Sequence, residues 1–354
     1  MKLLMITRKV DRNDALAGFT YAWVKRIAME LEKSHSSLLV ICLEKGDITE
    51  LPDNVEIHSL GKEAGVNRSG RFVEFQKLAW KLVPRTDGIF CHMNPEYTIN
   101  IWPYAKLHRK KIVSWFAHGA VNWKIKLLAK MADTILTPSP ESFRVASDKV
   151  IVTGHGIDTE LFVPHWKDYD GGGPFVILTV GRISPTKDLE SLIKAVDTLV
   201  KNKTENIKLK IIGEPGLAEH YSYFESLRQM SRRMKLDSIV DFLGPIPNKD
   251  IVRHLQGADV FVNLSGTGSV DKAVLEAMSC GCIVITSNEA FRKIIHPEFM
   301  VKKNDPKDLA QKLFEIKNLS FFDKEKIRRV LRDEVLKHHN LDTISRLIVQ
   351  QFIL

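Results

Sequence analysis

Cysteine is scarce in this chain, and its spacing matches no metal or redox motif. The 354 residues include four cysteines, Cys42, Cys91, Cys280 and Cys282. None of them stands in a Cys-x-x-Cys pair or in a zinc-finger spacing. Disulfide chemistry and structural zinc are therefore not expected, and we predict four buried free thiols, as is usual for proteins of a reducing compartment.

Long apolar runs are absent as well. No stretch approaches the ~20 apolar residues that a membrane-spanning helix needs. The opening sequence MKLLMITRKVDRND has an apolar run too short for a signal peptide, and we interpret it as a first strand. From these absences we expect a cytoplasmic protein, with contact at the inner face of the membrane left open.

Length and charge are the first positive signals. A chain of 354 residues indicates two domains, at roughly 150 residues for each. The chain has 52 Lys and Arg against 43 Asp and Glu, a net charge of +9, which favours anionic partners without naming one. The segment 97–132 contains seven Lys or Arg and no Asp or Glu.

Strand-like and helix-like segments alternate along the chain, which indicates an α/β protein with parallel sheets. The strand-like runs are continuously apolar, as expected for strands covered on both faces. In the first half, strands are predicted at Leu3–Thr7, Leu38–Leu43, Val55–Leu60, Gly88–His92, Ile112–Phe116, Thr134–Thr137 and Val150–Thr153. In the second half, they are predicted at Phe175–Val180, Leu209–Ile212, Val240–Leu243, Val260–Leu264 and Cys282–Thr286.

A glycine-rich segment separates the two halves. Pro164–Pro174 reads PHWKDYDGGGP, and three consecutive glycines cannot pack a core, so we interpret it as an interdomain linker. The predicted organisation is an N-terminal domain at 1–165, a second domain at 166–338, and a C-terminal helix at 339–354 that packs back toward the first domain. Two such domains are expected to form a cleft, where ligands bind at the carboxyl ends of the strands.

Two cations follow the first strand of the second domain. Arg182 comes directly after Gly181, and Lys187 stands at the start of the next predicted helix. Arg binds two phosphate oxygens at once, Lys supplies a point charge, and a helix N-terminus also favours anions. A diphosphate site is one interpretation, and two exposed surface cations are the other.

A run of small residues, Ser265–Ser269, follows a later strand and leads into another helix. Small residues let a ligand approach the backbone closely, although the dinucleotide spacing G-x-G-x-x-G is absent. Within the helix, Glu276 stands in apolar company, where a carboxylate needs a partner such as two ribose hydroxyls. The alternative is an ion pair with Lys272, one turn earlier, on a solvated face.

Together these motifs resemble glycosyltransferase family 4, a group of retaining enzymes with the GT-B fold. The resemblance rests on Gly-Arg-x-x-x-x-Lys at 181–187, Leu-Glu-Ala-Met at 275–278, Ala-Asp-Val-Phe-Val at 258–262 and Gly-His-Gly-Ile-Asp at 154–158. It implies two Rossmann-like, doubly wound parallel-sheet domains facing each other across a cleft. It also implies transfer of a sugar from a nucleotide-sugar donor to a hydroxyl of a glycan or lipid-linked acceptor.

The resemblance implies roles for matching residues of the second domain. Arg182 and Lys187 correspond to the residues that hold the donor diphosphate and assist its departure, and Glu276 corresponds to the ribose ligand. The base-contacting loop corresponds to Gly244, Pro245 and Ile246.

Two N-terminal residues also match. Gly18 corresponds to a glycine loop that approaches the donor phosphates, with a plain left-handed turn residue as the alternative. His118 corresponds to a histidine near the anomeric carbon, where its ring or its backbone carbonyl would stabilise developing positive charge; a structural histidine is the alternative.

One position departs from the family pattern. Many members carry a second Glu eight residues before the ribose Glu, and that position here is Gly268. Backbone N–H groups of Gly268, Ser269 and Val270 would still meet the sugar or phosphate, and Asp271 is a candidate for the missing carboxylate. A catalytically silent nucleotide-sugar-binding protein and a GT-B sugar-nucleotide epimerase therefore stay open as alternatives.

Few classes of binding partner are expected. The resemblance implies no metal and no cofactor besides the nucleotide sugar, and no nucleic-acid motif occurs. The basic stretch 97–132 is interleaved with Trp102, Tyr104, Trp115 and Trp123, a mixture that suits an acceptor sugar or peripheral contact with an anionic membrane. An ordinary basic outer helix is the alternative.

Overall fold

The computed structural model describes residues 1–15, 17–165, 173–266 and 268–353. The chain divides into two compact units. The first comprises Met1–Asp158, Pro247–Lys249 and His338–Leu354, and the second comprises Thr159–Ile246 and Asp250–Lys337. The division at Asp158 lies before the predicted limit at residue 165. That limit stays a prediction, because residues 166–172 of the predicted linker lie outside the described residues.

The first unit is built on a seven-stranded parallel sheet in the order β3-β2-β1-β4-β5-β6-β7. Its strands are β1 (Lys2–Val10), β2 (Ser37–Lys45), β3 (Val55–Ser59), β4 (Gly88–His92), β5 (Lys111–Trp115), β6 (Thr134–Thr137) and β7 (Val150–Val152). Its helices are α1 (Gly18–Glu32), α2 (Arg68–Leu82), α3 (Pro95–Leu107), α4 (Trp123–Met131) and the C-terminal α11 (Leu341–Gln350).

Both faces of this sheet are covered, which explains why its central strands are continuously apolar. Side chains of β1 alternate between the faces: Leu3 packs with Trp23 of α1 and Ile344 of α11, whereas Leu4 packs with Leu78 of α2 and Ile101 of α3. Trp23 and Leu4 are fully or almost fully buried. Four helices, α2, α3, α4 and α11, start at an Asn side-chain cap, such as Asn94 before α3, which satisfies a free N–H group.

The C-terminal segment joins the first unit through backbone pairing. Ile157 donates its N–H to the His339 carbonyl at 2.8 Å, and Leu341 donates to the Ile157 carbonyl at 2.9 Å. Gly154 has a φ of +76°, and a Cβ there would lie 1.7 Å from the His338 carbonyl oxygen. Only glycine therefore fits this close approach.

The second unit is built on a five-stranded parallel sheet in the order β10-β9-β8-β11-β12. Its strands are β8 (Phe175–Val180), β9 (Ile207–Ile212), β10 (Val240–Gly244), β11 (Val260–Asn263) and β12 (Ile283–Thr286). Its helices are α5 (Leu189–Lys201), α6 (Tyr221–Arg233), α7 (Asn248–Gln256), α8 (Lys272–Ser279), α9 (Pro306–Asn318) and α10 (Phe321–His338), the first residues of α7 and the last of α10 belonging to the first unit.

The predicted α/β architecture of two doubly wound parallel sheets is confirmed. Every predicted strand corresponds to an observed one, within a few residues at its ends. In both sheets the first strand of the unit is third in the order, and the order reverses beside it, as in Rossmann-like folds. Among the described residues, no helix combines the length and the apolar character that crossing a membrane requires.

Candidate functional site

The strand order of the second unit places its reversal point between β8 and β11. These strands are neighbours, with Ile177 opposite Val260 and Leu178 opposite Phe261. Ligands of open parallel sheets bind outside the carboxyl ends of the strands at such a point. The loop after β8 carries Arg182 and Lys187, and the loop after β11 leads to α8 with Glu276. The topology therefore brings the two strongest sequence motifs to one edge of one sheet.

The backbone after β8 is held closely in place. Gly213 lies against Gly181, because a Cβ on Gly213 would stand 1.9 Å from the Gly181 carbonyl oxygen. Ile183 is buried and donates its N–H to the Glu214 carbonyl at 2.9 Å. A single 3-10 turn, Pro185–Lys187, then precedes α5. Lys187 thus belongs to this turn rather than to the first turn of the helix.

Asp188 makes the connection between the turn and α5. Its φ of +45° lies in the left-handed region, where Asp is tolerated because its short side chain bonds locally. The Asp188 carboxylate accepts a hydrogen bond from the Ser191 N–H at 3.3 Å, which caps the helix.

Arg182 is exposed. Its stem lies against Gly216, where a Cβ would approach the Arg182 Cδ to 2.8 Å. Within the part of the chain that the structure describes, its guanidinium makes no hydrogen bond or ion pair. An exposed guanidinium without a counter-ion is free to bind an anion in a forked manner.

Lys187 is already paired. Its Nζ lies 3.1 Å from Asp271 Oδ2, and both side chains are only one-fifth exposed. Asp271 also accepts from Asn263 Nδ2 at 2.9 Å. The loops after β8 and β11 are therefore joined by an ion pair, and the candidate replacement carboxylate, Asp271, faces the candidate phosphate ligand, Lys187.

The small-residue loop after β11 is held by two amide hydrogen bonds. Gly266 donates its N–H to the Thr186 carbonyl at 3.0 Å, and Asn288 Nδ2 donates to the Ser269 carbonyl at 2.8 Å. Asn288 and Val270 are buried. Thr267 of this loop lies outside the described residues.

Gly268 has a φ of +67°. This is the left-handed region, which glycine adopts without strain and which a Glu would adopt only at a cost. The glycine at position 268, where many family members carry Glu, therefore suits the left-handed backbone conformation of this loop.

Glu276 lies on α8 and is 4% exposed. Lys272 Nζ lies 2.8 Å from its Oε1, one turn away on the same helix. The predicted apolar surroundings and the predicted ion pair are thus both present. The alternative that placed this pair on a solvated face was wrong, however, because the helix turns Glu276 toward the interior of the unit.

The predicted base-contacting loop stands at the carboxyl end of β10. Gly244 has a φ of +72° and accepts at its carbonyl from the Gly213 N–H at 2.9 Å. Apart from Gly244 itself and its two chain neighbours, no described residue has an atom within 4 Å of the position a Cβ would take at Gly244. Pro245 is exposed and Ile246 is half-buried. The backbone here is open to a ligand, at the same edge of the sheet as Arg182.

The two N-terminal candidates lie in the first unit. His118 is exposed beyond the end of β5, and its Nδ1 accepts from the Ala120 N–H at 3.0 Å. This contact leaves Nε2 as the hydrogen-bearing nitrogen of the neutral ring. Gly18 is buried and is the first residue of α1. It is absent from the glycines with positive φ, so the left-handed-turn interpretation was wrong.

Sequence reasoning missed two asparagines that organise the site. Asn263 ends β11 and bonds Asp271, while Asn288 follows β12 and bonds the Ser269 carbonyl. Both are buried. A polar amide at the carboxyl end of an otherwise apolar strand is the signal that could have identified them. Across the described ranges, no three His, Cys, Asp or Glu side chains converge as metal ligands would.

Burial raises the pKa of the Cys280 thiol, and the charges of Cys282 and Glu276 add to this effect. The thiol just beyond α8 is therefore protonated at neutral pH, so it is not a nucleophile of this site.

Comparison with known proteins indicates which family the second half of the chain resembles. Residues 167–338 match the family described as glycosyl transferases group 1. A protein of Escherichia coli named as a colanic acid biosynthesis glycosyltransferase, WcaL, is 25% identical over 209 residues, covering 56% of this chain and 50% of WcaL. A D-inositol 3-phosphate glycosyltransferase of Kribbella flavida is 26% identical over 148 residues, 39% of this chain and 35% of that protein. The chain thus spans half or less of these relatives.

Solved structures share the fold along nearly the whole chain. Anabaena HepE in complex with UDP and glucose has a TM-score of 0.75 at 17% identity and covers 99% of each chain. A glycosyltransferase of Rickettsia africae has a TM-score of 0.77 at 16% identity, covering 99% of this chain and 97% of its own. The resemblance drawn from the motifs is confirmed. Residues 167–338 therefore match the group 1 glycosyl transferases, and the chain shares the two-sheet GT-B fold of these solved structures.

Proposed function

We propose that the chain is a glycosyltransferase, of the hexosyltransferase class, that takes its sugar from a nucleoside diphosphate donor. One observation carries the proposal: Arg182, Lys187 and Glu276 stand on the two loop–helix connections that flank the reversal point of the second unit's sheet. The family match over residues 167–338 supports it. A solved neighbour that binds UDP and glucose supports the donor class.

Each of the three residues supplies a different part of the donor site. Arg182 is exposed and offers its guanidinium to the phosphates in a forked manner. Lys187 adds a second cation. The donor phosphates bind it either together with Asp271 or in place of Asp271. Glu276, which is buried and lies 2.8 Å from Lys272, is assigned to the ribose hydroxyls. The backbone of Gly244, Pro245 and Ile246, at the carboxyl end of β10, is assigned to the base.

The reaction breaks the bond between the anomeric carbon and the diphosphate oxygen. Charge separates in that step, and cations already in place stabilise the leaving oxygens without reorganising. We assign this role to Arg182 and Lys187 and propose that it proceeds without a metal ion. The acceptor hydroxyl attacks from the face that the diphosphate leaves and gives its proton to the leaving phosphate. The anomeric configuration is then retained.

The acceptor is proposed to be a hydroxyl of a glycan or of a lipid-linked sugar. The names of similar proteins support this class, since one is named for colanic acid biosynthesis and another is a lipopolysaccharide outer core galactosyltransferase, WaaB. His118, exposed with its Nδ1 fixed by Ala120, is proposed to act near the anomeric carbon.

A thermal-shift screen with UDP, ADP, GDP and inorganic pyrophosphate tests the donor site. A ligand that binds only the folded state raises the melting temperature by mass action. We expect at least one nucleoside diphosphate to stabilise the protein. Arg182→Ala and Lys187→Ala should each weaken its binding about tenfold to a hundredfold, as expected for a hydrogen bond to a charged group. Lys194→Ala, on the exposed side of α5, is the matched control.

Glu276→Gln separates the ribose contact from the phosphate contacts. It should weaken binding of the nucleoside diphosphate while leaving that of pyrophosphate nearly unchanged, because pyrophosphate has no ribose. Equal loss for both ligands would contradict the assigned role. A stabilisation by nucleotides that survives both cation substitutions would place the site elsewhere.

Two alternatives differ from the proposal in their products. The departure at Gly268 favours a protein that binds nucleotide sugars without turning them over, and a sugar-nucleotide epimerase is the second alternative. Incubation with the stabilising nucleotide's sugar donors and analysis by mass spectrometry and NMR distinguishes them. Release of the nucleoside diphosphate with transfer of the sugar supports the transferase, an isomerised donor supports the epimerase, and an unchanged donor supports the silent binder.

A further inference from the structure

The sheet of the first unit has a reversal point of its own, between β1 and β4. These strands are neighbours, and Ile6 stands opposite Cys91. Two residues further along each chain segment come Arg8, still in β1, and Met93, just after β4. Open parallel sheets bind ligands at such a point. The side chains around Arg8 and Met93 are therefore candidates for a second ligand site.

Arg8 carries a charge that no neighbour neutralises. It is exposed, and its guanidinium makes no hydrogen bond or ion pair with any residue that the structure describes. The carboxylates of the nearby loops are already paired, since Asp11, Asp14 and Glu44 lie 2.6–3.2 Å from Lys9 Nζ. An exposed guanidinium without a counter-ion binds a phosphate or a carboxylate in a forked manner.

A buried hydroxyl lies on the same face of the sheet. Side chains of β1 alternate, so Arg8 shares the face of Ile6, and Tyr97 packs in the core of that face. Tyr97 is 6% exposed, and its hydroxyl makes no hydrogen bond with any described residue. Burial raises the pKa of Tyr97, while the Asn94 side chain and the charge of Arg8 oppose the rise, so both lie near the hydroxyl. Such a hydroxyl costs free energy unless a ligand or a water pairs with it.

The connection between β4 and α3 is strained at this point. Met93 has a φ of +75°, and the Asn94 N–H donates to the His92 carbonyl at 3.0 Å. This is a γ-turn with positive φ, which is rare and costs conformational energy. The Met93 N–H donates to the Trp115 carbonyl at 2.8 Å, and this bond fixes the turn. The turn holds the start of α3, and with it Tyr97, beside the end of β1.

The amino end of α3 adds positive potential to the site. A helix N-terminus favours anions, and α3 has 13 residues. Its side-chain cap is weak, because Asn94 Oδ1 accepts the Glu96 N–H at 3.4 Å, longer than a typical N–H···O bond. The Glu96 carboxylate is paired with Lys124. The first turn of α3 therefore offers an N–H donor to a stronger acceptor.

We propose that Arg8, the Tyr97 hydroxyl and the start of α3 bind an anionic group, a phosphate or a carboxylate, that the acceptor sugar carries. Arg8 supplies the charge and a forked pair of donors, and Tyr97 donates its hydroxyl to the same group. The site then selects an acidic acceptor over a neutral one, because a neutral sugar leaves the buried hydroxyl without its partner. Assigning the anionic group to the acceptor rests on the proposed function, whereas the anion site belongs to the first unit alone.

Saturation-transfer difference NMR tests the site with the full-length protein and three small probes. Glucose 6-phosphate carries a phosphate, glucuronic acid carries a carboxylate, and glucose carries no charge. We expect at least one of the two anionic probes to bind and glucose not to bind, and the anionic probe that binds identifies the group. Arg8→Ala should weaken that binding at least about tenfold. Arg8→Lys should retain part of it, because a lysine keeps the charge without the fork.

Arg85→Ala is the matched control, because it removes an exposed arginine that stands before β4, at the opposite edge of the same sheet. It should bind the probes like the wild type. Equal binding of glucose, no binding of either anionic probe, unchanged binding in Arg8→Ala or an equal loss in Arg85→Ala would overturn the proposal. Circular dichroism melting checks that each variant is folded.

Tyr97→Phe separates binding from folding. Removing an unpaired buried hydroxyl should leave the melting temperature unchanged or raise it, while binding of the anionic probe falls. A lower melting temperature with unchanged probe binding would assign Tyr97 a structural role only and contradict its place in the site.

The outcome is separable from that of the donor site. Arg182→Ala should leave probe binding unchanged, since Arg8 and Tyr97 belong to the first unit and Arg182 to the second. Absence of nucleotide binding in the thermal-shift screen would contradict the proposed function and leave the anion site in place. In transfer assays with an acidic acceptor, Arg8→Ala should raise KM about tenfold with kcat nearly unchanged, as expected for a contact made equally in the ground and transition states. A fall in kcat at unchanged KM would contradict this role.

Discussion

At the scale of single residues, we expect the ion pair between Lys187 and Asp271 to set how tightly the donor diphosphate binds. Lys187 Nζ lies 3.1 Å from Asp271 Oδ2, and Asn263 Nδ2 donates to the same oxygen at 2.9 Å. An incoming diphosphate brings further negative charge toward Asp271, so the carboxylate both positions Lys187 and opposes the ligand. The site therefore contains a carboxylate, that of Asp271, although position 268 is not Glu. This carboxylate is paired with Lys187.

Asp271→Asn tests that competition. We expect it to tighten binding of the stabilising nucleoside diphosphate about threefold to tenfold, because about 1 kcal/mol of pairing with Lys187 no longer opposes the ligand. Isothermal titration calorimetry measures the change. Asp237→Asn, an exposed substitution of the same charge in the same unit, is the control. In a Lys187→Ala background the gain should vanish. Weaker binding of Asp271→Asn would show instead that the carboxylate contacts the donor.

At the scale of secondary-structure elements, the junction between α10 and α11 contains a buried histidine. His339 is 4% exposed, and its Nδ1 accepts from the His155 N–H at 3.0 Å. Burial, assisted by the nearby His338, lowers the pKa of His339 to about 4. The imidazole is therefore neutral in the folded protein through most of the acidic range.

The stability of the first unit should fall with acid through this histidine. The unfolded chain takes up the proton near pH 6.5 and the folded chain near pH 4, so stability is complete above 6.5 and declines down to about 4. The total loss is ~3 kcal/mol. Urea unfolding at pH 7 and pH 5 measures it. His339→Asn keeps an acceptor for His155 and should flatten the decline, whereas the exposed His296→Asn should not. An unchanged slope in His339→Asn would contradict the assignment.

Strands were the elements that the sequence predicted best, and the polar contacts of the site were predicted least. A strand such as Ile283–Thr286 is buried on both faces, so its apolar run is visible in the chain itself. The pairing of Lys187 with Asp271 joins residues 84 positions apart and depends on which strands are neighbours. The left-handed conformation of Gly268 depends on the loop around it. Arg182, Lys187 and Glu276 could be proposed as site residues only because they form a recognisable spacing.

At the scale of the whole molecule, the four thiols are distributed evenly. Cys42 and Cys91 lie in the first unit, Cys280 and Cys282 lie in the second, and all four are buried and free. Burial raises the pKa of Cys42, Cys91 and Cys282 to about 12. The predicted buried free thiols are confirmed.

We expect the native protein to resist thiol reagents at neutral pH, because a reagent needs both access and a thiolate. All four cysteines should react after denaturation in guanidinium chloride. Mass spectrometry at intermediate denaturant reports which unit opens first, since each unit contributes two labels. Rapid labelling of any one cysteine in the native protein would show that its surroundings open locally, and a Cys→Ser variant at that position would identify it.

The pairing of α11 with α1 has a consequence for synthesis. Helix α1 begins at residue 18, and its core neighbours Ile344 and Ile348 are synthesised only after the whole of the second unit. The nascent first unit must therefore wait, with the apolar face of α1 uncovered, until the other unit has left the exit tunnel. A chain that stops after residue 158 would leave the apolar face of α1 uncovered permanently. In a circular permutant that begins with α11, the covering helix would be made before α1.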